Sequence, residues 1–215
     1  GILITEAARA TAANNQAHLQ RLTKAVIQKT LQLSIFIAAG LLLYGNLIGT
    51  LLDGGALAGH LIRLLAPVVP FIYLEIVLEA LLKGMGQQSF SSLNYLAEYT
   101  IRIAIVLVCI PKFGFYGIVL SYYASNVCGN CFRLWKTCKT ARIRFSFWSD
   151  VGFPLFAAAL AFQVPLCGLR LLHGMQFAWI CLLPAILIDY ALLKSYGKIT
   201  SIPLLSKKQH AYSSA

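Results

Sequence analysis

Charge is what this sequence has least of. Asp, Glu, Lys and Arg make up 12% of its 215 residues, against about 25% in soluble globular domains. Acidic residues are the scarcest class, 7 against 18 Lys and Arg. Hydrophobic residues reach 59% and the mean hydropathy is +0.73. A chain so poor in polar residues cannot cover its own surface in water, which excludes an ordinary soluble enzyme; a bilayer is the solvent that suits it. Catalytic signatures are missing as well. There is no G-x-S-x-G, H-E-x-x-H or P-loop pattern, so no catalytic role is expected. The four His residues stand alone at loop or tail positions, and no metal or other cofactor is expected. Cys128 and Cys131 form a C-x-x-C, but inside an apolar run and without a second pair at zinc spacing. Cys109, Cys138, Cys167 and Cys181 are scattered. All six read as small packing residues, and disulfides are not expected.

The net charge of +11 would suggest nucleic acid as the partner of a soluble protein. Here the basic residues fall mainly between apolar runs, where membrane proteins keep them, and no nucleic-acid partner is expected. The sequence opens on Gly1-Ile2-Leu3-Ile4 without a signal-peptide pattern. That opening reads as the tail of a missing helix.

The apolar runs predict an all-α, polytopic transmembrane bundle of about six helices, since a span needs about 20 apolar residues. The expected spans are residues 30–52, 61–82, 89–110, 113–135, 151–169 and 175–193. Residues 1–29 precede them as the end of a missing helix and a cytoplasmic amphipathic loop, in which Leu19, Leu22 and Val26 recur at helical spacing. That segment fits a membrane-surface helix or a plain solvated helix. Residues 194–215 form a basic tail. Asp53-Gly54-Gly55 ends the first span as a turn. Pro67 and Pro70 are expected to kink the second, and Pro111-Lys112 to break the third.

Loop charge predicts orientation. Residues 5–29, Lys83, residues 133–144 and the tail from Lys194 hold 14 of the 18 Lys and Arg. Arg63, Lys112 and Arg170 belong to the alternate loops and flanks, and Arg102 lies within a span. The positive-inside rule puts both ends in the cytoplasm of a multi-pass cell-membrane protein.

Ionisable residues within spans cost roughly 2.5–3.5 kcal/mol each on insertion scales and mark function by default. Glu75 and Glu79 lie four apart on one face of the second span. Ser91, Asn94, Glu98 and Arg102 form a stripe along the third. At about 1.5 Å per residue, Glu75 lies roughly 10 Å deep and Glu98 roughly 14 Å. Arg102 is deeper, but its side chain tilts back toward the helix N-terminus. Glu75, Asn94, Glu98 and Arg102 are therefore the candidate substrate or ion cavity, with Glu79 secondary. Two glutamates beside one Glu–Arg pair leave unbalanced negative charge, which favours a cation or proton role. The opposing reading is that Glu98–Arg102 is an intrahelical pair that only eases insertion. Asp189, near the end of the last span, fits a pair with Lys194.

Several stretches resemble one family. Thr5-Glu6-Ala7-Ala8-Arg9-Ala10, before a basic helix and a span, resembles a loop of the polysaccharide-flippase branch of the MOP exporter superfamily. Leu81-Leu82-Lys83-Gly84-Met85-Gly86-Gln87 is similar to that branch's glycine-rich exit from its tenth helix. Ile110-Pro111-Lys112-Phe113-Gly114-Phe115-Tyr116-Gly117-Ile118-Val119 resembles its link into the twelfth. Among members of the branch, the chain is similar to stage V sporulation protein B and other oligosaccharide flippases. The resemblance implies the C-terminal half of a 14-helix transporter, one lobe plus two extra helices. It implies alternating access across the cytoplasmic membrane, with a lipid-linked oligosaccharide or cell-wall precursor as cargo, and the missing N-terminal lobe and the lipid bilayer as partners. The drug-exporting branch of the superfamily implies the alternative, a multidrug antiporter coupled to sodium or protons. A third reading is an inactive membrane fragment.

Overall fold

The computed structural model describes residues 2–52, 55–143, 145, 148–161, 186–188, 190–191 and 194. All its regular elements are helical, and no strand occurs among the described residues. Among the described residues, three helices are long and apolar enough to cross a membrane: Gln16–Leu51, the broken helix Gly55–Gly84, and Gln88–Phe113. The end of the expected fifth span, most of the sixth and all of the basic tail but Lys194 lie outside the described residues, as does Asp189.

Helix α1 (Ile2–Ala12) ends where Asn14 takes a left-handed conformation, φ 49°, which Asn tolerates better than most residues. Asn15 then caps α2 (Gln16–Leu51), its side chain accepting from the His18 N–H at 3.0 Å. The amphipathic segment and the first apolar run share this one helix. Its 36 residues span about 54 Å at 1.5 Å per residue, far more than the ~30 Å of a hydrocarbon core. One end of α2 must therefore project beyond any membrane it crosses.

Helix α3 (Gly55–Leu65) folds back along α2. Glycines permit the close approach. A Cβ on Gly49 would fall on the backbone of Gly59, and one on Gly59 would lie 2.6 Å from Asn46 Cα. Small residues at such crossings let helix backbones touch. A 3-10 turn, Ala66–Val68, then separates α3 from α4 (Val69–Gly84). The break falls at Pro67 and Pro70, because neither can donate to the preceding turn.

Helix α5 (Gln88–Phe113) is inside-out by the standards of a soluble protein. Its buried residues are Ser91, Asn94 and Glu98, while Leu93, Leu96, Ile103, Leu107, Val108 and Ile110 are exposed. Monomeric soluble proteins rarely expose so continuous an apolar face. The helix continues through Pro111 and stops at Gly114, where φ is 55°. Pro111 falls in the last turn, and the positive-φ glycine after it reverses the chain. Helix α6 (Phe115–Ala141) returns beside α5. Its buried residues Gly117, Ser121, Ser125, Gly129, Arg133, Thr137 and Ala141 recur every four positions, a ridge that seats small side chains against a neighbouring helix. A π-helical turn, Trp148–Gly152, starts a short apolar helix that runs to Ala161.

One end of the bundle is stitched by side chains. The Gln16 amide donates to the Ala141 carbonyl at 3.0 Å, and the Gln20 amide to the Arg142 carbonyl at 3.2 Å. These bonds occupy carbonyls that a helix C-terminus leaves without partners. The Gln28 amide donates to Asp150 at 2.6 Å. Gly84 lies against α1, where an added Cβ would meet Ala7 Cβ at 2.6 Å. Leu19, Ile27, Leu31, Leu74, Leu78, Leu81 and Leu82 form the apolar core at this end. Arg9, Arg21, Lys24, Lys29, Lys83, Lys136, Lys139 and Arg142 belong to this half of the bundle. Arg63 and Lys112 lie toward the other end.

Candidate functional site

Between the two ends, α4, α5 and α6 bring charged side chains together. Arg133 of α6 is fully buried, and its guanidinium bridges two helices. Nη2 lies 3.2 Å from Glu75 Oε1 of α4, and Nη1 lies 2.9 Å from Glu98 Oε2 of α5. The Tyr95 ring covers the same guanidinium at 4.4 Å. Neither contact has hydrogen-bond alignment, so charge and the aromatic face hold the group. Glu98 also pairs with Arg102, Nη2 to Oε1 at 3.1 Å. Arg102 Nε donates to Ser125 Oγ at 2.9 Å, and its guanidinium faces Tyr122 at 4.6 Å and Tyr99 at 5.2 Å. One turn beyond Glu75, Glu79 pairs with Lys83 and accepts from the Tyr95 hydroxyl.

The site depends on Gly129. A Cβ there would collide with the Glu98 carboxylate and stand 3.0 Å from Arg133 Nη1. Asn94 donates to the Gly129 carbonyl at 3.2 Å, pinning α5 to α6 at that point. Asn94 is thus a packing contact between helices.

All the candidate residues read from sequence fall in this layer, but the charge count differs from the expectation. Arg102 is not the deepest cation: its side chain is 23% exposed and that of Arg133 0%. The carboxylates of Glu75, Glu79 and Glu98 face Lys83, Arg102 and Arg133, so the cluster is balanced. Among the described residues the expected surplus of negative charge is absent, because Arg133, which the sequence groups with the cytoplasmic loop, supplies a third cation. Helix α6 runs two turns past Arg133, to Ala141. The signal that places it inside is its register, four residues after Gly129 on the small-residue ridge.

Among the described residues, no three His, Cys, Asp or Glu side chains are grouped to hold a metal. Cys109, Cys128, Cys131 and Cys138 are free thiols. No family model, curated protein or solved structure matches this chain.

Proposed function

We propose that this chain is one lobe of a membrane transporter that moves a lipid-linked oligosaccharide or cell-wall precursor across the cytoplasmic membrane by alternating access. The observation that carries the reading is the Glu75–Arg133–Glu98 bridge. It is a fully buried guanidinium shared by carboxylates on two other helices, in a chain whose helices otherwise expose apolar faces. Taking such ions out of water costs several kcal/mol each, and charges kept at that cost inside spans mark substrate or ion pathways. The similarity of the loop sequences to polysaccharide flippases supplies the cargo class. A polar sugar head cannot enter hydrocarbon unaided, so a path lined by paired charges lowers the barrier. Binding between two lobes that rock about a fixed site is a general transporter scheme.

The balanced charge of the cluster removes the motive for a standing cation site, so the cation-coupled antiporter is the weaker reading. The test is the fate of the precursor in cells that lack the gene. Lipid-linked precursor should accumulate on the cytoplasmic leaflet, and the gene restored in full should clear it. Normal precursor distribution in those cells would rule out the proposed cargo.

A further inference from the structure

The last turns of α6 carry exposed aromatic side chains followed by basic ones. Phe132, Trp135, Lys139 and Arg142 follow one another at spacings of three, four and three, and all four are exposed. The stripe runs from aromatic to basic along about 15 Å of helix, at 1.5 Å per residue. Lys139 Nζ lies 5.2 Å over the Trp135 ring, and Lys136 Nζ lies 5.2 Å over the ring of Phe90 at the start of α5. None of Lys136, Lys139 and Arg142 forms an ion pair among the described residues. By contrast, Arg102, Arg133 and Lys83 are each paired to a carboxylate. This end of α6 is therefore an aromatic band followed by unneutralised positive charge, at the basic end of the bundle.

We propose that the C-terminal end of α6 is a docking surface for an anionic phospholipid. The ammonium groups of Lys136 and Lys139 and the guanidinium of Arg142 take the headgroup phosphate. Trp135 sits at the boundary, where its amphipathic ring is favoured, and Phe132 lies along the acyl chains. Charge complementarity selects the occupant. A zwitterionic lipid brings its own cation to the phosphate and gains little, whereas an anionic headgroup gains from each basic residue near it. The inference rests on the membrane-embedded reading of the chain but not on its transport activity.

Trp135 reports on the site directly. The protein carrying Trp148→Phe and Trp179→Phe, so that Trp135 alone fluoresces, is reconstituted in phosphatidylcholine vesicles. These contain a minor fraction of either brominated phosphatidylglycerol or brominated phosphatidylcholine. Brominated phosphatidylglycerol should quench Trp135 more strongly. Each lysine replaced should lower the relative affinity for phosphatidylglycerol about fivefold, the equivalent of the roughly 1 kcal/mol a basic residue gains near an anionic surface. In Lys136→Gln/Lys139→Gln the two quenching curves should therefore nearly coincide. Arg9→Gln/Arg21→Gln, which removes the same charge from α1 and α2, should keep them apart. Equal quenching by both lipids before any lysine is replaced overturns the proposal. So does a difference that survives Lys136→Gln/Lys139→Gln, or one lost equally in Arg9→Gln/Arg21→Gln, which would reduce it to net charge. A protein that fails to stay with the vesicles overturns the membrane reading itself. Loss of transport leaves this measurement untouched.

Discussion

At the scale of single residues, Arg133 organises the site. It is fully buried, and both its carboxylate partners lie on other helices. Removing one partner of a buried ion pair costs roughly 3–5 kcal/mol, because the remaining charge is left desolvated. Arg133→Ala should therefore destabilise the purified protein in detergent severely. Arg133→Lys should fall between, since a single ammonium cannot reach two carboxylates with a rigid fork. Arg102→Ala should cost much less, because Arg102 is partly exposed and Ser125 is its other partner. Thermal melts of the three variants check the order, and an Arg102→Ala as damaging as Arg133→Ala would contradict it. The Glu98–Arg102 pair was legible in sequence because both residues lie on one helix at an i, i+4 spacing. The Arg133 bridge was not. It pairs Arg133 with residues 35 and 58 positions away in sequence, and only the packing of three helices brings them together.

At the scale of elements, the break between α3 and α4 shows how a kinked span keeps its backbone satisfied. In a 3-10 turn the Leu64 carbonyl would pair with the N–H of residue 67, which proline lacks. The Tyr123 hydroxyl of α6 donates to that carbonyl instead, at 2.5 Å. Tyr123→Phe keeps the ring and removes the donor. It should lower stability by about 1 kcal/mol, the net worth of one such bond. A melt unchanged by Tyr123→Phe would show that the break does not rely on α6. The proline pair announces a kink in the sequence, whereas the side chain that repairs it, Tyr123, is invisible there, because it comes from another helix. The start of α2 was also hard to read. Polar residues such as Arg21, Lys24 and Gln28 break the apolar run without breaking the helix, since hydropathy reports the surroundings and helical hydrogen bonds do not depend on them. Pro111 misled in the opposite sense: proline interrupts a ladder in mid-helix, but near the C-terminus the helix ends at the next permissive residue, Gly114.

At the scale of the whole molecule, the helix directions bring most of the described basic residues to one end. The loop charges of the sequence carry the expectation that this basic end faces the cytoplasm, because the positive-inside rule acts on residues near span ends. We predict that a cysteine replacing Lys139 is shielded from an impermeant thiol reagent in intact cells, while one replacing Lys112 is labelled. The native cysteines are first removed for this test. Labelling at 139 without labelling at 112 would invert the topology. The exposed apolar face of α5 agrees with a membrane setting, and three helices have the length and composition to cross it. The central claim is that the charged layer between α4, α5 and α6 serves transport rather than mere insertion, and the Arg133→Gln/Glu98→Gln double variant tests it most directly. Arg133→Gln alone leaves Glu75 without its cation and Glu98 with Arg102 only. Adding Glu98→Gln restores net neutrality, since the carboxylates of Glu75 and Glu79 then equal in number the cations Arg102 and Lys83, and neutral replacements of buried pairs are often tolerated. Membrane abundance and melting temperature should recover in the double variant, while movement of fluorescent lipid-linked oligosaccharide by the full-length protein in proteoliposomes stays lost. Transport that returns together with stability would contradict the account and leave the bridge a structural device.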